Sequence, residues 1–352
     1  MPQLTRIVGP AFWGWLSDRV RRRGALLRLS SALAVALTLA FALIGGHYPL
    51  LLVAVALFSF STAAQTPIAE SMALAVTGGD AGRYGRLRVW GSIGFTLALL
   101  GSGPLLDGIG VARLPWLMVA LTLLLLTVAW RVPEPPAAAH RASEAAWRRL
   151  REPTIAAFFV ANFLMMFAHA ALYGFYSLYL DGFGWSKSAI GMTWTIGVLS
   201  EIVIFRVQHR IFGRFSALGL LGFSLAAAAL RFALMGWAGA AIVGVFVGQL
   251  LHAVTFGVHH SAVMALIHRW FDPGQQGRAQ ALYVTIGYGL GGSSGGLAAS
   301  WLWQHAGPSA AFYGAAVAAG LGWLAVVACA RFDYARSARA QGPSHDQGGS
   351  QA

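Results

Sequence analysis

Apolar residues fall in long runs along this chain, and short stretches with glycine, proline or charged residues separate the runs. About 17 or more apolar residues, at 1.5 Å each, can cross a hydrocarbon core about 30 Å thick as an α-helix. The pattern therefore predicts an all-α membrane protein. The predicted spans cover residues 25–44, 49–69, 89–106, 114–130, 155–180, 189–207, 218–237, 241–267, 281–303 and 310–329.

One long polar stretch divides the chain into two helical halves. It extends over residues 131–153, begins with prolines and continues with arginines, which is typical of a linker. Residues 1–130 form the N-terminal half, and residues 154–331 form a C-terminal half with six predicted spans. Residues 332–352 are polar and rich in glycine, serine and glutamine, so they are predicted to be a disordered cytoplasmic tail.

The composition excludes a soluble globular domain. The chain is 57% hydrophobic and 11% charged, whereas soluble domains contain about 25% charged residues. The formal net charge of +13 would favour nucleic acid only with a basic face on a soluble domain, and the pattern predicts no such domain. We therefore expect the lipid bilayer as partner, and no nucleic acid.

The basic residues explain the charge and predict the orientation. Arginine-rich loops alternate along the chain with loops that carry only Arg113 or Lys187. By the positive-inside rule, the linker and the C-terminus lie in the cytoplasm.

Cysteine and histidine spacing argues against bound metal. Cys329 is the only cysteine, which excludes disulfides and thiolate metal sites within the chain. The histidines of the spans lack the His-x-x-x-His spacing that places two ligands on one helix face. No metal and no cofactor are expected.

Glu201 lies in the middle of the apolar run 189–207. An ionised glutamate in hydrocarbon costs at least about 2.5 kcal/mol, so such a residue is a functional candidate by default. Trp194, Gly197 and Glu201 share one helix face, which we expect to point inward. The alternative is a protonated glutamate that ties two helices together by a hydrogen bond.

Arg231 lies at a similar predicted depth on the next helix, counted from their shared loop. It is expected to pair with Glu201 or to line a cavity, or alternatively to extend to the membrane interface. Other titratable residues within the spans are Glu70, His169, His252, His259 and His260.

Two polar stripes with helical spacing predict an aqueous cavity. One lies on the span 241–267 and consists of Gln249, His252, Phe256 and His259, with Thr255 at its border; the other lies on the span 155–180 and consists of Asn162, His169, Tyr173 and Tyr176. For each single histidine, a neutral imidazole bonded to a backbone carbonyl is an equally good interpretation. The predicted substrate-binding residues are Asn162, His169, Tyr173, Tyr176, Trp194, Gln249, His252 and His259.

Residues 292–295 read Gly-Ser-Ser-Gly and match the Gly-x-Ser-Gly pattern of intramembrane serine proteases. A serine nucleophile needs a base within hydrogen-bond reach, and the last predicted span contains no histidine. The glycines between residues 287 and 296 are better explained by close helix approach. We predict no catalytic residues.

Residues 14–23 read Gly-Trp-Leu-Ser-Asp-Arg-Val-Arg-Arg-Arg. They resemble the loop motif Gly-x-x-x-Asp-Arg-x-Gly-Arg-Arg/Lys of the major facilitator superfamily, with Arg21 in place of the second glycine. Nearly the whole chain resembles one group of that superfamily, the 3-phenylpropionate transporters, which are proton symporters related to lactose permease. The residues that carry this resemblance are 67–70, 84–92, 168–175, 197–205, 249–252 and 280–283.

The resemblance implies a major facilitator fold, with twelve helices in two halves around a central site that works by alternating access. It implies proton coupling by Glu201, Arg231 and His252, and a charge pair of Glu70 with Arg88. The carboxylate on the tenth helix of lactose permease has no counterpart among residues 249–260, so the coupling chemistry does not transfer whole. The loop-motif residues are Gly14, Asp18, Arg19, Arg22 and Arg23.

The expected function is symport of protons with a small organic solute, an aromatic carboxylate such as 3-phenylpropionate, by a monomer in a bacterial inner membrane. Sugars or nucleosides are the alternative substrates. An intramembrane enzyme or a transport-inactive fragment is the alternative of a different class.

The start of the chain is predicted to be incomplete. Residues 1–16 give about 24 Å of helix, which is shorter than the hydrocarbon core. With this incomplete segment counted, five apolar segments precede the linker and six follow it, although the resemblance implies equal halves. We therefore expect about 11 of 12 helices, with the first absent and the second partial, and an open reading frame that begins upstream.

Overall fold

The computed structural model describes residues 22–76, 81–134, 148–238 and 241–340, together with Gly9, Phe12, Trp13, Leu16 and Val20. Within these residues the regular elements are helices, with no β-strand, as predicted. The N-terminal half contains α1 (Arg23–Ile44), α2 (Tyr48–Thr62), α3 (Gln65–Val76), α4 (Ala81–Ile109) and α5 (Leu114–Arg131). The C-terminal half contains α6 (Pro153–Gly182), α7 (Lys187–Phe212), α8 (Ala217–Ala238), α9 (Ile242–Leu250), α10 (His259–Trp270), α11 (Pro273–Tyr283), α12 (Gly292–Ala306) and α13 (Pro308–Ala340).

Seven helical segments in the described part of the chain are long and apolar enough to cross a membrane. Large apolar side chains such as Trp237 and Val243 are more than two-thirds exposed on the outside of the bundle. In water such surface would be unfavourable, whereas lipid tails cover it at no cost. The exposed apolar surface therefore agrees with the predicted membrane location.

Two spans of the C-terminal half contain a π-helical segment. Residues Ala253–Val258 connect α9 to α10, and residues Val284–Gly291 connect α11 to α12. A π turn shifts the register of the side chains that follow it, and such turns occur frequently at functional sites. Both segments lie inside predicted spans, but the apolar pattern gave no sign of them.

The span predicted over residues 49–69 is two helices. Helix α2 ends at Thr62 and α3 begins at Gln65. The Thr62 hydroxyl donates to the Phe58 carbonyl at 2.8 Å, so a side chain competes for a backbone acceptor close to the break. Pro67, in the first turn of α3, has no N–H to continue a helix from the preceding turn.

The tail predicted to be disordered from residue 332 begins as helix, because α13 continues to Ala340. Its last turns are held by polar contacts. Asp333 accepts hydrogen bonds from Arg269 at 3.1 Å and from the Trp270 indole at 3.2 Å, and Arg336 pairs with Glu152 at 3.1 Å. Residues 341–352 lie outside the described part of the chain.

Helix α6 forms the centre of the C-terminal half, where it packs against α12 and α13. A Cβ atom at Gly295 would lie 2.2 Å from the Phe167 carbonyl, and one at Gly291 would lie 2.5 Å from the Phe163 carbonyl. These two glycines therefore let the backbone of α6 touch the end of the second π segment and the start of α12, a close approach that the sequence predicted. Gly292, between them, faces open space.

In the N-terminal half, α1 packs against α5. The hydroxyls of Thr38 and Thr122 join the two helices at 3.0 Å. Glu134 follows α5 in the chain. Both oxygens of its carboxylate accept the backbone N–H of Gly24, Oε2 at 2.9 Å and Oε1 at 3.0 Å. An anion at a helix N-terminus satisfies free N–H groups and favours the helix dipole, so the first residues of the linker stabilise α1.

Candidate functional site

Arg231 is the centre of a buried polar cluster between α7, α8 and α9. Its side chain is fully buried, so it does not extend to the membrane interface. Its guanidinium Nη1 donates to Thr255 Oγ1 at 2.9 Å and to His252 Nδ1 at 3.2 Å, and Nη2 contacts Gln249 Oε1 at 3.5 Å. Among the side chains that the structure describes, Arg231 is the only buried arginine, lysine, aspartate or glutamate.

The contact with Arg231 determines which ring nitrogen of His252 carries the proton. A guanidinium can only donate, so Nδ1 of His252 must accept, and the neutral ring carries its proton on Nε2. That Nε2 lies 3.7 Å from Glu201 Oε2, which is longer than a hydrogen bond but close enough for an electrostatic pair. Arg231, His252 and Glu201 therefore form a chain of contacts across three helical segments.

Two glycines allow α7 to come this close. A Cβ atom at Gly197 would lie 2.8 Å from Gln249 Oε1, and one at Gly257 would lie 3.3 Å from Glu201 Cγ. Gly257 belongs to the π segment that follows His252, and its lack of a side chain leaves room for the glutamate. The predicted inward face of Trp194, Gly197 and Glu201 does point into this region.

Aromatic side chains border the cluster. The rings of Tyr173 and Trp194 are parallel within 8°, with centroids 6.1 Å apart, and half of Tyr173 is exposed. The Trp194 indole donates to Ser177 Oγ at 3.1 Å. Tyr176, by contrast, is buried, and its hydroxyl donates to Thr193 at 2.9 Å. Tyr173 and Trp194 thus leave ring surface open for a ligand, whereas Tyr176 supports Trp194 edge-on.

His169 adjoins both groups, with ring centroids 6.0 Å from Tyr173 and 6.3 Å from His252. Its Nδ1 lies 3.0 Å from the Met165 carbonyl and must donate to it. The neutral ring therefore has a free lone pair on Nε2, which finds no hydrogen-bond partner among the described residues. His169 can accept a hydrogen bond from a ligand.

Asn162 and His259 lie apart from this cluster, about two helical turns or ~10 Å further along their helices. His259 Nε2 is 3.1 Å from Asn162 Oδ1, and its Nδ1 is 3.1 Å from Ser224 Oγ. The Asn162 amide donates to the Phe158 carbonyl at 2.7 Å. All of these side chains are buried, and the hydrogen bonds of Asn162 and His259, both predicted to bind substrate, join α6, α8 and α10.

Two serines, Ser224 and Ser294, have surroundings that could suggest a catalytic nucleophile, but neither is an exposed nucleophile. Ser224 contacts His259, which in turn contacts Asn162, but Ser224 is fully buried. Ser294, in the Gly-x-Ser-Gly match, donates to the Leu290 carbonyl of its own helix at 2.7 Å. A nucleophile needs both a base and access for substrate, and neither serine has both.

Several predicted residues cannot be placed in the site. Gly14, Asp18 and Arg19 lie outside the described residues, whereas Arg22 and Arg23 lie at the start of α1. The side chains of Glu70 and Arg88 also lie outside the described part of the structure. Thr255 was missed as a ligand of Arg231, although it borders the predicted stripe, because a threonine in a helix usually bonds to its own backbone.

The model of the family described as MFS_1 like matches residues 1–314. The chain belongs to the MFS_1-like family. It is therefore a secondary transporter of the major facilitator type, embedded in a membrane and acting on a small molecule, and not an enzyme. This agrees with the predicted fold and with the prediction of a secondary transporter.

Relatives of this MFS_1-like chain have different substrates in their names. It is 31% identical over 294 residues to the probable 3-phenylpropionic acid transporter of Escherichia coli (strain K12). That alignment covers 80% of this chain and 76% of the relative. It is 28% identical over 296 residues to the maltose permease of Geobacillus stearothermophilus, in an alignment that covers 83% of this chain and 74% of the permease.

Solved structures give the same fold. A variant of the nucleoside transporter NupG matches with a TM-score of 0.79 over 93% of this chain and 90% of that chain, at 16% identity. The human organic anion transporter MFSD10 matches with a TM-score of 0.64 over 92% and 82%, also at 16% identity. At these identities the likeness concerns the fold alone.

Proposed function

We propose that this protein couples proton entry to the uptake of a small organic solute, with an aromatic carboxylate such as 3-phenylpropionate as the first candidate. The observation that carries the proposal is the chain of contacts from Glu201 through His252 to Arg231. It links a group that can take up a proton to a fixed positive charge inside a membrane protein. The name of the 31% identical relative supports the substrate.

The charge balance of the site supports coupling of a proton to an anion. With Glu201 ionised, its charge and that of Arg231 compensate each other through His252. When Glu201 is protonated, the buried charge of Arg231 loses this compensation, and a substrate carboxylate can supply it. Arg231 has donors to offer, because its Nε finds no partner among the described residues and its Nη2 contact is long.

The transport cycle follows from these charges. A proton from the outside neutralises Glu201, and the substrate carboxylate then binds Arg231 while its ring lies against Tyr173 and Trp194. The halves rock so that the site opens to the cytoplasm. Glu201 then loses its proton toward the inside, its charge again compensates Arg231, and the substrate leaves.

A sugar or nucleoside is the second candidate, and one observation favours it. The free lone pair on His169 Nε2 suits a hydroxyl or amine donor, which an unsubstituted aromatic carboxylate does not have. The names of the maltose permease and of NupG point to the same class. We place the protein in the inner membrane of a bacterium as a monomer, with the linker and C-terminus in the cytoplasm.

Purified protein in proteoliposomes tests the proposal. With a proton gradient directed inward and a pH-sensitive dye inside, addition of 3-phenylpropionate should acidify the lumen and accumulate labelled substrate. Maltose and uridine are the comparison substrates. Accumulation of one of them with proton entry would change the substrate but keep the coupling. Substrate uptake that is independent of the gradient would overturn the proton coupling itself.

A further inference from the structure

Helices α4 and α7 form the main contact between the two halves among the described helices. At the end of this contact farthest from the linker, the Asp107 carboxylate of α4 meets the first residues of α7. One oxygen accepts the backbone N–H of Lys187 at 2.9 Å. The other accepts the backbone N–H of Ser188 at 2.9 Å and also bonds to the Ser188 hydroxyl.

These bonds satisfy a need of α7 that its own sequence meets only in part. The first four N–H groups of a helix have no partner within the helix. Ser186 caps one of them, because its hydroxyl accepts the N–H of Ala189 at 3.1 Å. Asp107, from the other half, serves two more, and its negative charge also interacts favourably with the helix dipole.

Gly103 makes the approach possible. It lies one turn before Asp107 on the same face of α4. A Cβ atom at Gly103 would lie 2.8 Å from both the Lys187 carbonyl oxygen and the Ser188 Cα. The backbones of the two halves therefore touch at this point, which brings the carboxylate within reach of the N–H groups.

At the linker end, the polar contacts of two glutamates join segments that belong to the same half. Glu134 binds the first turn of α1 in the N-terminal half. Glu152 pairs with Arg149 and Arg336 in the C-terminal half. The far end thus has a charged, backbone-directed bond between the halves, whereas these linker-end contacts leave the halves free to separate.

We propose that Asp107 and the N-terminus of α7 form an interdomain latch that keeps the end far from the linker closed and must break before that end opens. Three hydrogen bonds to one carboxylate would be lost together, so the latch releases in one step. This inference goes beyond the proposed function, because it requires neither a particular substrate nor a coupled proton. Given the predicted orientation, the latch closes the external mouth of the transporter.

Distance measurements between spin labels test the latch without any substrate. In a Cys329→Ala background, which removes the only native cysteine, cysteines replace the exposed residues Leu105 and Phe183 near the latch. A second labelled pair replaces Leu87 and Phe215 at the opposite ends of α4 and α7. Double electron–electron resonance then reports both ends of the full-length protein.

Asp107→Ala should raise the ratio of far-end-open to far-end-closed molecules about tenfold, because charge-assisted bonds are the strong ones. The Leu105–Phe183 pair should lengthen while the Leu87–Phe215 pair shortens. Gly108→Ala is the matched control, since a Cβ atom there meets open space. Unchanged distances in a folded Asp107→Ala protein would overturn the proposal.

Two further variants keep the test decisive if Asp107→Ala does not fold. Ser188→Ala removes only the hydroxyl bond and should give a smaller shift in the same direction. Gly103→Ala keeps every hydrogen-bonding group but forces the backbones apart, and should also favour the open far end. If both leave the distance distributions as they are in the unmodified sequence, the latch does not exist. Neither result depends on whether protons are coupled.

Discussion

Nε2 of His252 lies 3.7 Å from a carboxylate oxygen of Glu201. Because Arg231 occupies Nδ1 of the same ring, the neutral imidazole must present its N–H to that carboxylate. His252 therefore connects Glu201 to Arg231, so a change in the charge of Glu201 changes the electrostatic environment of Arg231. If His252 itself took up the proton, Nδ1 would become a donor and its bond from Arg231 would be lost. Under the proposed coupling, Glu201 rather than His252 is therefore the expected proton carrier.

Glu201→Gln should abolish proton-driven accumulation and leave exchange of substrate across the membrane close to normal. The amide has the shape of a protonated carboxyl group but cannot release a proton. We expect accumulation to fall at least about tenfold, with counterflow within about twofold. Glu152→Gln, at a partly exposed carboxylate outside the spans, is the control. Full accumulation by the Glu201 variant would rule it out as the carrier.

Arg231→Ala should be severe and Arg231→Lys partial. Alanine leaves His252, Thr255 and Gln249 without their common donor in a buried site, whereas lysine keeps the charge but loses the planar fork. We expect transport below about 5% for alanine and about a fifth to a half for lysine, measured at equal protein in the membrane. Arg210→Ala, at an exposed position of α7, is the control. Wild-type activity of Arg231→Ala would show that the cluster is not needed.

Gly295→Ala should destabilise the protein, although it adds one methyl group. The new Cβ atom would lie 2.2 Å from the Phe167 carbonyl, which belongs to the backbone and cannot move aside. Overpacking of this kind costs about 1–3 kcal/mol. Gly292→Ala, where the Cβ atom meets open space, is the control on the same helix. Thermal unfolding in detergent measures both, and equal midpoints would mean that α6 and α12 do not touch as described.

Much of the fold follows from the apolar pattern, because a segment in lipid must satisfy its own backbone and so must be a helix. The apolar pattern does not show where hydrogen bonds interrupt a helix or change its type. It therefore missed the break after Thr62 and the two π segments. It also missed the last helical turns of α13, where Asp333 and Arg336 find partners that are distant in sequence.

The site was predictable in part for a related reason. Glu201, Arg231 and His252 stand out because polar groups are costly in hydrocarbon. Spacing alone does not tell which neighbour each helix face meets, so Asn162 and His259 were grouped with residues that lie about 10 Å away. Asp107 gave no signal, since a carboxylate at the end of an apolar run is usual, and only the fold brings α7 to it.

The contact between Glu152 and Arg149 should make stability depend on pH. Arg149 donates to the Glu152 carboxylate at 2.8 Å and 3.1 Å, and this hydrogen bonding, together with the charges of Arg149 and Arg336, lowers the pKa of Glu152 below its usual 4.5. A carboxyl group whose pKa is lowered in the folded state stabilises that state above its usual pKa. The stabilisation is lost as the pH falls through the lowered value.

Glu152→Gln should therefore lower the unfolding midpoint at pH 7, and the difference from the unmodified protein should shrink as the pH is brought below 4.5. The carboxylate is partly exposed, so water screens the pair and the effect should be about 0.5 kcal/mol, or roughly 1–2 °C. Arg336→Ala should give a smaller change with the same pH trend, because it removes one of the two partners. Scanning fluorimetry over a pH series measures this. A difference that grows toward acid pH would show that the folded state raises the pKa of Glu152 instead.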